Sequence, residues 1–313
     1  MARHDRRFRF AVQVGTAGGG QEWADLAREA ESLGYSVLTM PDHFGDQFAV
    51  GPALAAAAAA TETLRLGALV YDNDYRHPVL LAKEVATLDV LSGGRVELGL
   101  GAGWLTTDYE QSGIPCDPIG VRIDRMVEGL RVLRGLMAEG PFTFAGEHYR
   151  IAELDGQPKP VQRPHPPVLI GGGGRRILSI AGREADIVGI GTNLRSGRIG
   201  PHLVDNVTAD ATAQKVSWVR EAAGDRFDQL ELHMQVFLLT LTDDRAAAAA
   251  GVAQFMETTV DEVLSAPIVL MGTEQEVVDQ IRRQREMYGI SHLTVGQPSM
   301  RAFAPIVARL AGT

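Results

Sequence analysis

The sequence predicts an α/β fold, and more specifically a (β/α)₈ TIM barrel with insertion segments. Apolar strands alternate with amphipathic helices along nearly all of the 313 residues. Eight strand–helix units follow one another, and their strands are short and apolar, as parallel strands covered on both faces must be. A closed barrel is the economical arrangement of eight such units, and a doubly wound parallel sheet is the alternative.

Each unit is an apolar run followed by a helical pattern. The predicted strands are residues 8–14, 35–40, 64–70, 95–101, 167–174, 185–191, 230–240 and 291–296. The predicted helices are residues 22–35, 52–62, 77–94, 120–138, 175–184, 211–223, helical segments within 244–288 that 266–273 interrupts, and 301–311. Pro78 suits the first turn of the third helix, which ends at a glycine pair.

No shift in composition marks a linker, so residues 1–313 are predicted to form a single domain. Insertions are expected near residues 105–118, 141–166 and 192–210, where the strand–helix alternation is interrupted. The segment 141–166 is rich in proline, glycine and aromatic residues, and we expect a hairpin there.

The composition excludes several classes of protein. With 39 acidic and 30 basic residues the net charge is −9, which disfavours binding to nucleic acid or to an anionic membrane. No apolar run could span a bilayer, and the charged N-terminus lacks the apolar core of a secretion signal. Cys116 is the lone cysteine, which excludes an internal disulfide and fits a cytoplasmic enzyme. The histidines do not cluster, so no metal site is expected.

Polar or glycine-rich motifs follow five of the predicted strands. Active sites of (β/α)₈ barrels lie where strands end and helices begin, so these motifs should lie on one face. The motifs are "PDHF" (41–44), "YDNDYRH" (71–77), "GAGW" (101–104), "GGGGRR" (171–176) and "GTN" (191–193).

"GGGGRR" has the features of a phosphate-binding turn. Glycines permit close backbone approach and positive φ, and the following helix presents free N–H groups. Arg175 and Arg176 add donors that can grip a phosphate. The alternative is a tight turn with two solvated arginines. In "GLGAGW" the spacing is G-x-G-x-G rather than G-x-G-x-x-G, which disfavours a Rossmann nucleotide site. Those glycines suit either a flat ring lying against bare backbone or close strand–helix packing.

His43 follows the second strand directly and has Asp42 beside it. An imidazole can donate and accept protons near neutral pH, so His43 is a candidate proton carrier. The alternative is a structural histidine with Asp42 capping the next turn. Its position opposite a possible cofactor site favours the proton carrier.

Taken together, these motifs resemble the bacterial luciferase-like superfamily (the luciferase-like monooxygenase family), and within it the branch that uses the deazaflavin coenzyme F420. Residues 76–104 carry the most specific part of the likeness, which extends over most of the chain. The matching segments are 41–44, 65–70, 76–104, 167–174 and 300–310.

The resemblance implies a (β/α)₈ barrel that holds a flavin-like ring at the C-terminal ends of its strands. It implies that His43 faces the reactive ring, with Asp42 orienting it, and that a non-prolyl cis peptide at Leu69–Val70 supports the ring. The residues expected to bind the cofactor are Leu69, Val70, Gly101, Gly103, Trp104, Gly171, Gly172, Gly173, Gly174 and Arg175. Trp104 replaces the glutamate of the branch's sugar-phosphate dehydrogenase, and a tryptophan wall fits an apolar or aromatic substrate better than a sugar phosphate.

The leading hypothesis is an F420-dependent oxidoreductase that moves a hydride between the deazaflavin and a small organic substrate. The alternatives are a reduced-FMN-dependent monooxygenase on the same fold and a non-catalytic flavin-binding protein, and the fold alone does not separate them. We also expect a homodimer.

Overall fold

The computed structural model describes residues 6–198, 200 and 206–313. Its strands are β1 (Arg9–Gln13), β2 (Val37–Met40), β3 (Arg65–Ala68), β4 (Tyr71–Asp72), β5 (Val96–Gly101), β6 (Phe142–Ala145), β7 (Arg150–Leu154), β8 (Val168–Gly172), β9 (Ile187–Ile190), β10 (Glu231–Gln235), β11 (Leu238–Leu241), β12 (Val269–Gly272) and β13 (Ile290–Gly296).

The helices are α1 (Gly20–Ser32), α2 (Val50–Ala60), α3 (Pro78–Leu91), α4 (Thr106–Ser112), α5 (Ile119–Met137), α6 (Arg175–Glu184), α7 (Ala209–Ala223), α8 (Arg245–Met256), α9 (Val260–Ser265), α10 (Glu274–Tyr288) and α11 (Met300–Leu310). No helix within the described ranges is both long and apolar enough to cross a membrane.

Eight parallel strands close into a barrel, which confirms the predicted fold and excludes the doubly wound sheet. Around the barrel the order is β3, β2, β1, β13, β10, β9, β8 and β5, and pairing between β3 and β5 closes the ring. Helices lie between successive strands, so both faces of each strand are covered. The C-terminal ends of all eight strands therefore meet on one face.

The lower interior of the barrel is charged. Arg9 Nη1 lies 2.7 Å from Glu97 Oε1, and Arg9 Nη2 lies 2.7 Å from Glu231 Oε2. Because β1 is not adjacent to β5 or β10, these ion pairs cross the interior. Burial raises the pKa of the Glu231 carboxyl, but His292 and Arg9 together lower it well below its usual range. The charged groups are thus paired, as buried charges must be.

Two predicted strands differ from the structure. The third, predicted as 64–70, leaves its regular path after Ala68, and the chain resumes as β4, which pairs with β5. The seventh, predicted as 230–240, is two strands: β10 stays in the barrel, and β11 pairs with β12 in a separate two-stranded parallel sheet. An apolar run reveals that a strand is buried, but it does not reveal the sheet to which the strand belongs.

The insertion segments have their own structure. Segment 105–118 contains α4, and segment 141–166 contains the expected hairpin, formed by the antiparallel strands β6 and β7. Of the third segment, 192–210, residues 199 and 201–205 lie outside the described ranges.

Candidate functional site

A cavity of about 540 Å³ lies at the C-terminal ends of the barrel strands. All twelve residues that the sequence assigned to catalysis or cofactor binding line this cavity, so the structure brings together every one of them. They are Asp42, His43, Leu69, Val70, Gly101, Gly103, Trp104, Gly171, Gly172, Gly173, Gly174 and Arg175.

His43 is held in one orientation by an acid that follows a different strand. Its Nδ1 lies 2.6 Å from Asp108 Oδ2, and the Tyr75 hydroxyl donates a hydrogen bond of 3.0 Å to the same oxygen. The Trp104 ring packs edge-on against the imidazole with 5.5 Å between ring centroids. His43 Nε2 makes no hydrogen bond to any described residue, so this nitrogen is available to a ligand in the cavity.

Asp42 does not orient His43, contrary to the expectation from the sequence. Its two carboxylate oxygens accept hydrogen bonds from Arg76 Nη1 and Nη2, at 2.8 and 3.0 Å. The backbone N–H of Asp72 also donates to Asp42 at 3.0 Å. Asp42 therefore joins the end of β2 to the segment after β3, and Asp108 is the acid that holds His43. No sequence pattern connects Asp108 with His43, because Asp108 lies in α4 within an insertion.

The segment after β3 forms a ledge in the cavity. The peptide bond between Leu69 and Val70 is cis, as expected, and both residues line the cavity. Gln13 Nε2 donates a hydrogen bond of 3.2 Å to the carbonyl of Leu69. A Cβ atom on Gly101 would lie 2.5 Å from Val70 Cγ2, so glycine is needed where β5 passes the ledge. The result is a surface of backbone and small side chains against which a flat ring can lie.

The turn between β8 and α6, residues 171–177, has the geometry of an anion-binding site, and we call it the anion-binding turn. Helix α6 starts after Gly174, and no side chain caps its N-terminus. The first intrahelical bond is donated by Leu178, so the N–H groups of Arg175, Arg176 and Ile177 remain free. Free N–H groups and the positive end of the helix dipole favour an anion here.

The glycines of the anion-binding turn are needed for space and not for positive φ, contrary to part of the sequence argument. None of the four, Gly171, Gly172, Gly173 and Gly174, has a positive φ. A Cβ on Gly173 would lie 2.2 Å from the backbone nitrogen of Asn193, so Gly173 allows two loops to touch. A Cβ on Gly174 would meet nothing within 4 Å. Gly174 thus leaves open space directly at the N-terminus of the helix.

Arg175 and Arg176 lie at the rim of the cavity, and both have acidic partners. Arg175 Nη2 lies 3.2 Å from Glu221 Oε2, and Arg176 forms an ion pair with Asp124. Both arginine side chains are more than half exposed, so these pairs are weak and can rearrange. The two cations are therefore at the position predicted for them, but part of their charge is already balanced.

Arg122 is a cation of the cavity that the sequence did not reveal. This side chain is only 8% exposed and lines the cavity. Its Nη1 donates to the carbonyl of Ala102 and to the hydroxyl of Tyr109, both at 3.2 Å, and its buried Nε has no partner. Within the described ranges its hydrogen bonds go to these neutral oxygen atoms and not to a carboxylate. An unpaired buried cation favours an anionic ligand.

Asp72 is a carboxyl of the cavity wall with a perturbed pKa. Burial, assisted by the neighbouring carboxylates of Asp74 and Asp42, raises the pKa of Asp72 to about 6, even though hydrogen bonds from the Asp74 backbone and the Tyr109 hydroxyl lower it. Its side chain accepts those bonds at 2.9 Å and 3.2 Å respectively. Asp72 can therefore change its protonation close to neutral pH.

Lys215 fixes the segment that follows β9. Its Nζ donates to the carbonyl of Gly191 at 2.8 Å and to that of Asn206 at 2.5 Å. Burial lowers the pKa of Lys215 to about 8. The residues from Gly191 to Arg195 line the cavity, so Lys215 helps to hold one of its walls.

The remaining wall of the cavity is apolar, with Trp104, Phe237 and Ile268. The backbone N–H of Phe237 donates to the carbonyl of Ile268 at 2.9 Å, which links this wall to the β11–β12 sheet. Among the residues that the structure describes, no group of three or more histidine, cysteine, aspartate or glutamate side chains could hold a metal ion.

The chain is similar to known proteins in its sequence and in its fold. Residues 7–256 match the family model described as luciferase-like monooxygenase. The chain is 35% identical over 131 residues to an FMNH(2)-dependent dimethylsulfone monooxygenase of Pseudomonas putida, which covers 42% of this chain and 36% of that relative. The match therefore spans only about a third of that relative's length.

A second curated relative is matched over most of its length. The chain is 27% identical over 303 residues to an F420-dependent glucose-6-phosphate dehydrogenase of Intrasporangium calvum, with 90% of each chain covered. Among solved structures, the coenzyme F420 dependent tetrahydromethanopterin reductase of Methanopyrus kandleri has a TM-score of 0.78 and 18% identity, covering 98% of this chain and 99% of that one. This structural likeness supports the fold. Because the family model covers most of the barrel, the chain belongs to the luciferase-like monooxygenase family.

Proposed function

We propose that this protein is an F420-dependent oxidoreductase that transfers a hydride between the deazaflavin and a small uncharged organic substrate. One arrangement carries the proposal: His43, which is bonded to Asp108, lines the same cavity as the Leu69–Val70 ledge and the anion-binding turn. A proton carrier, a surface for a flat ring and a site for a phosphate are thereby combined. The relative named as an F420-dependent dehydrogenase, matched over 90% of each chain, supports this choice.

The residues present fit a flavin-like cofactor. The ledge and the glycines of β5 offer a flat surface without bulky side chains, and the free N–H groups of α6 and the unpaired Arg122 suit a phosphate. The open space at Gly174 lies where such a phosphate would approach the helix. When bound, the deazaflavin would supply two-electron hydride chemistry.

The protein's own contribution to the reaction is the handling of one proton. If Asp108 accepts a hydrogen bond from Nδ1–H, neutral His43 presents a lone pair at Nε2 to the cavity. Nε2 can then take the proton of a substrate hydroxyl during oxidation and return it to a carbonyl oxygen during reduction. The edge contact with Trp104 restricts the imidazole further.

The walls around His43 favour an uncharged substrate. Asp42 is paired with Arg76, and Asp108 is bonded to His43 and Tyr75, so neither acid is free to hold a cationic substrate. Trp104, Phe237 and Ile268 add apolar surface on the same cavity. A small apolar alcohol or carbonyl compound satisfies both conditions.

The second candidate is a reduced-FMN-dependent monooxygenase. It is supported by the relative named as an FMNH(2)-dependent monooxygenase. The pairing of Arg175 and Arg176 with Glu221 and Asp124 also supports it, because that pairing reduces the attraction that a long anionic tail would gain. A non-catalytic flavin-binding protein is less well supported, since binding alone requires no oriented His43.

Cofactor titration tests the proposal. The ligand-free protein is titrated with F420 and with FMN at several salt concentrations. We expect tighter binding of F420, with a difference that narrows as salt screens the contacts of the anionic tail with the rim arginines. The protein is then mixed with reduced and oxidised F420 and a panel of apolar alcohols and carbonyl compounds. FMN binding at least as tight as F420, or oxygen uptake with reduced FMN and substrate, would favour the monooxygenase.

A further inference from the structure

The floor of the cavity carries two polar side chains for which the proposed proton transfer has no use. His233 and Gln235 are two residues apart on β10, and both line the cavity. The neighbouring strands β8 and β9 have glycines at the cavity, Gly171 and Gly189, which carry no side chains. The side chains of His233 and Gln235 are therefore the polar groups that a ligand reaching the floor would meet on this strand.

Each of the two side chains is held from one side only. His233 Nε2 lies 2.7 Å from Thr294 Oγ1, and the ring of His292 packs edge-on with 4.8 Å between centroids. Gln235 Nε2 donates to Gln13 Oε1 at 2.6 Å, and Gln13 in turn donates to the carbonyl of Leu69 on the ledge. Both side chains are thus fixed in orientation by the barrel.

The opposite atoms remain without protein partners. His233 Nδ1 and Gln235 Oε1 form no hydrogen bond to a described residue. Neither atom is sealed from solvent, so both can be reached from the cavity. A Cβ on Gly189 would lie 3.5 Å from His233 Nδ1 and 3.0 Å from the Cα of Gly171. Because these positions are glycines, no side chain covers the Nδ1 edge of the imidazole.

We propose that His233 and Gln235 bind the polar edge of the cofactor ring, the edge on which carbonyl and N–H groups alternate. Gln235 Oε1 accepts from a ring N–H, and His233 Nδ1 donates or accepts as the adjacent ring atom requires. The Thr294 hydroxyl permits both tautomers, since it can accept from Nε2–H or donate to Nε2. This inference rests on the proposed function, because both proposed cofactors have such an edge.

The chemistry of the floor also gives the ring a direction. An apolar ring edge placed here would leave two polar atoms unsatisfied, which disfavours that orientation. The Gln13–Gln235 pair links the floor to the Leu69 carbonyl, so the ledge and the floor form one connected surface. His233 and Gln235 therefore position the ring and do not exchange protons with the substrate.

The test uses ring compounds without a phosphate tail. Lumiflavin has the polar edge, whereas phenazine has a similar three-ring shape without carbonyl or N–H groups. We expect His233→Phe and Gln235→Leu each to weaken lumiflavin binding on the order of tenfold and to leave phenazine binding unchanged. Thr39→Val is the matched control, because Thr39 is a buried polar residue of β2 that does not line the cavity. Unchanged lumiflavin affinity in both variants would overturn the inference.

A measurement on the wild-type protein covers the case in which a variant does not fold. The imidazole nitrogen resonances of His233 are followed by NMR during addition of lumiflavin. A shift of Nδ1 larger than that of Nε2 is expected, and an unshifted Nδ1 in the saturated protein would overturn the inference. Wild-type protein that binds none of F420, FMN and lumiflavin would overturn the proposed function itself, so the two failures are distinguishable.

Discussion

Asp108 Oδ2 lies 2.6 Å from His43 Nδ1, although 65 residues separate the two in the chain. The contact joins the end of β2 to α4, and the Tyr75 hydroxyl binds the same oxygen from a third direction. An imidazole bonded in this way has a fixed ring plane and a preferred tautomer. His43 would touch the substrate, and Asp108 would act through His43 as a positioning residue.

The first prediction separates these two roles. His43→Ala should reduce turnover by about 10²–10⁴-fold, the range for loss of a general acid–base group, with little change in cofactor affinity. Asp108→Asn should reduce turnover less and shift the pH dependence of kcat, because the amide no longer stabilises the protonated imidazole. The double variant should be no slower than His43→Ala, since both changes act on one group.

Glu110→Gln is the control for Asp108, because Glu110 is an exposed acid on the same short helix. Turnover and its pH profile are measured with the substrate found in the screen. If Asp108→Asn slowed turnover further in the His43→Ala background, Asp108 would have a role of its own and the positioning argument would be wrong.

The second prediction concerns the anion-binding turn. Gly174→Val places a branched side chain into the open space at the start of α6 without a clash inside the protein. Affinity for FMN should fall about tenfold or more, while affinity for riboflavin, which has no phosphate, should not change. Gly173 is unsuited to this test, because a side chain there would strike the backbone of Asn193.

Gly20→Val is the matched control for Gly174→Val. Gly20 begins α1 at the same end of the barrel, and a Cβ there also meets nothing within 4 Å. Titrations of the three proteins with FMN and riboflavin give the ratio of the two affinities. An equal loss for both ligands would indicate a general disturbance of the cavity.

The third prediction follows from the pKa of Asp72, which is raised to about 6 from an ordinary value of 3.8. Above pH 6 the folded protein holds the Asp72 carboxylate in a buried position, which is unfavourable. In the unfolded chain the same carboxylate is exposed to water. Asp72→Asn should therefore raise the free energy of unfolding by about 1–3 kcal/mol at pH 7–8. The gain should shrink as the pH falls from 6 to 4, where the wild-type carboxyl takes up its proton in the folded state.

Urea unfolding at several pH values measures this effect. Asp228→Asn, a change at an exposed aspartate, is the control and should show no comparable dependence on pH. A gain from Asp72→Asn that is the same at pH 4.5 and pH 8 would refute the electrostatic explanation.

The fourth prediction concerns stability in mild acid. Burial, together with the neighbouring His292, lowers the pKa of His233 well below 6.5. Above pH 6.5 the side chain of His233 is neutral in the folded protein and in the unfolded chain. Below pH 6.5 this side chain takes up a proton in the unfolded chain but not in the folded protein. The free energy of unfolding should therefore fall by roughly 1 kcal/mol per pH unit between pH 6 and pH 5 through His233 alone.

His233→Phe should remove that contribution from the slope. The carboxyls of Glu97 and Glu231, whose pKa values are lowered, add their own loss of stability only below pH 4.5, so the two effects are separated in pH. Equal slopes for wild type and variant between pH 6 and pH 5 would show that His233 is protonated in the folded protein.

The sequence predicted the barrel and the membership of the cavity, because both follow from repeated patterns. Apolar strands followed by polar motifs at their ends are visible in one dimension, and closure of the barrel places these ends together. Among the residues that the sequence did not reveal, Asp108, Arg122 and Lys215 lie on helices. Their roles depend on which helix face meets the cavity, which the tertiary packing decides.

The assignment of Asp42 illustrates the same limit. Its position beside His43 in the chain suggested a pair, but two residues that are adjacent in the chain need not have side chains that meet. Asp42 binds Arg76, and His43 finds its acid elsewhere. Likewise, the apolar run of residues 230–240 gave no sign that its second half pairs with β12 outside the barrel.

The two faces of the β11–β12 sheet pack against apolar clusters of very different size. Leu239, Leu241 and Leu270 pack against the main core, whereas the other face is covered by α8 and α9 around four buried residues. A layer held by so few apolar contacts opens locally at a lower free energy than the barrel. Amide hydrogens of α8 and α9 should thus exchange faster than those of β10 and β13. A ligand that contacts Phe237 and Ile268, at the base of this layer, should slow their exchange.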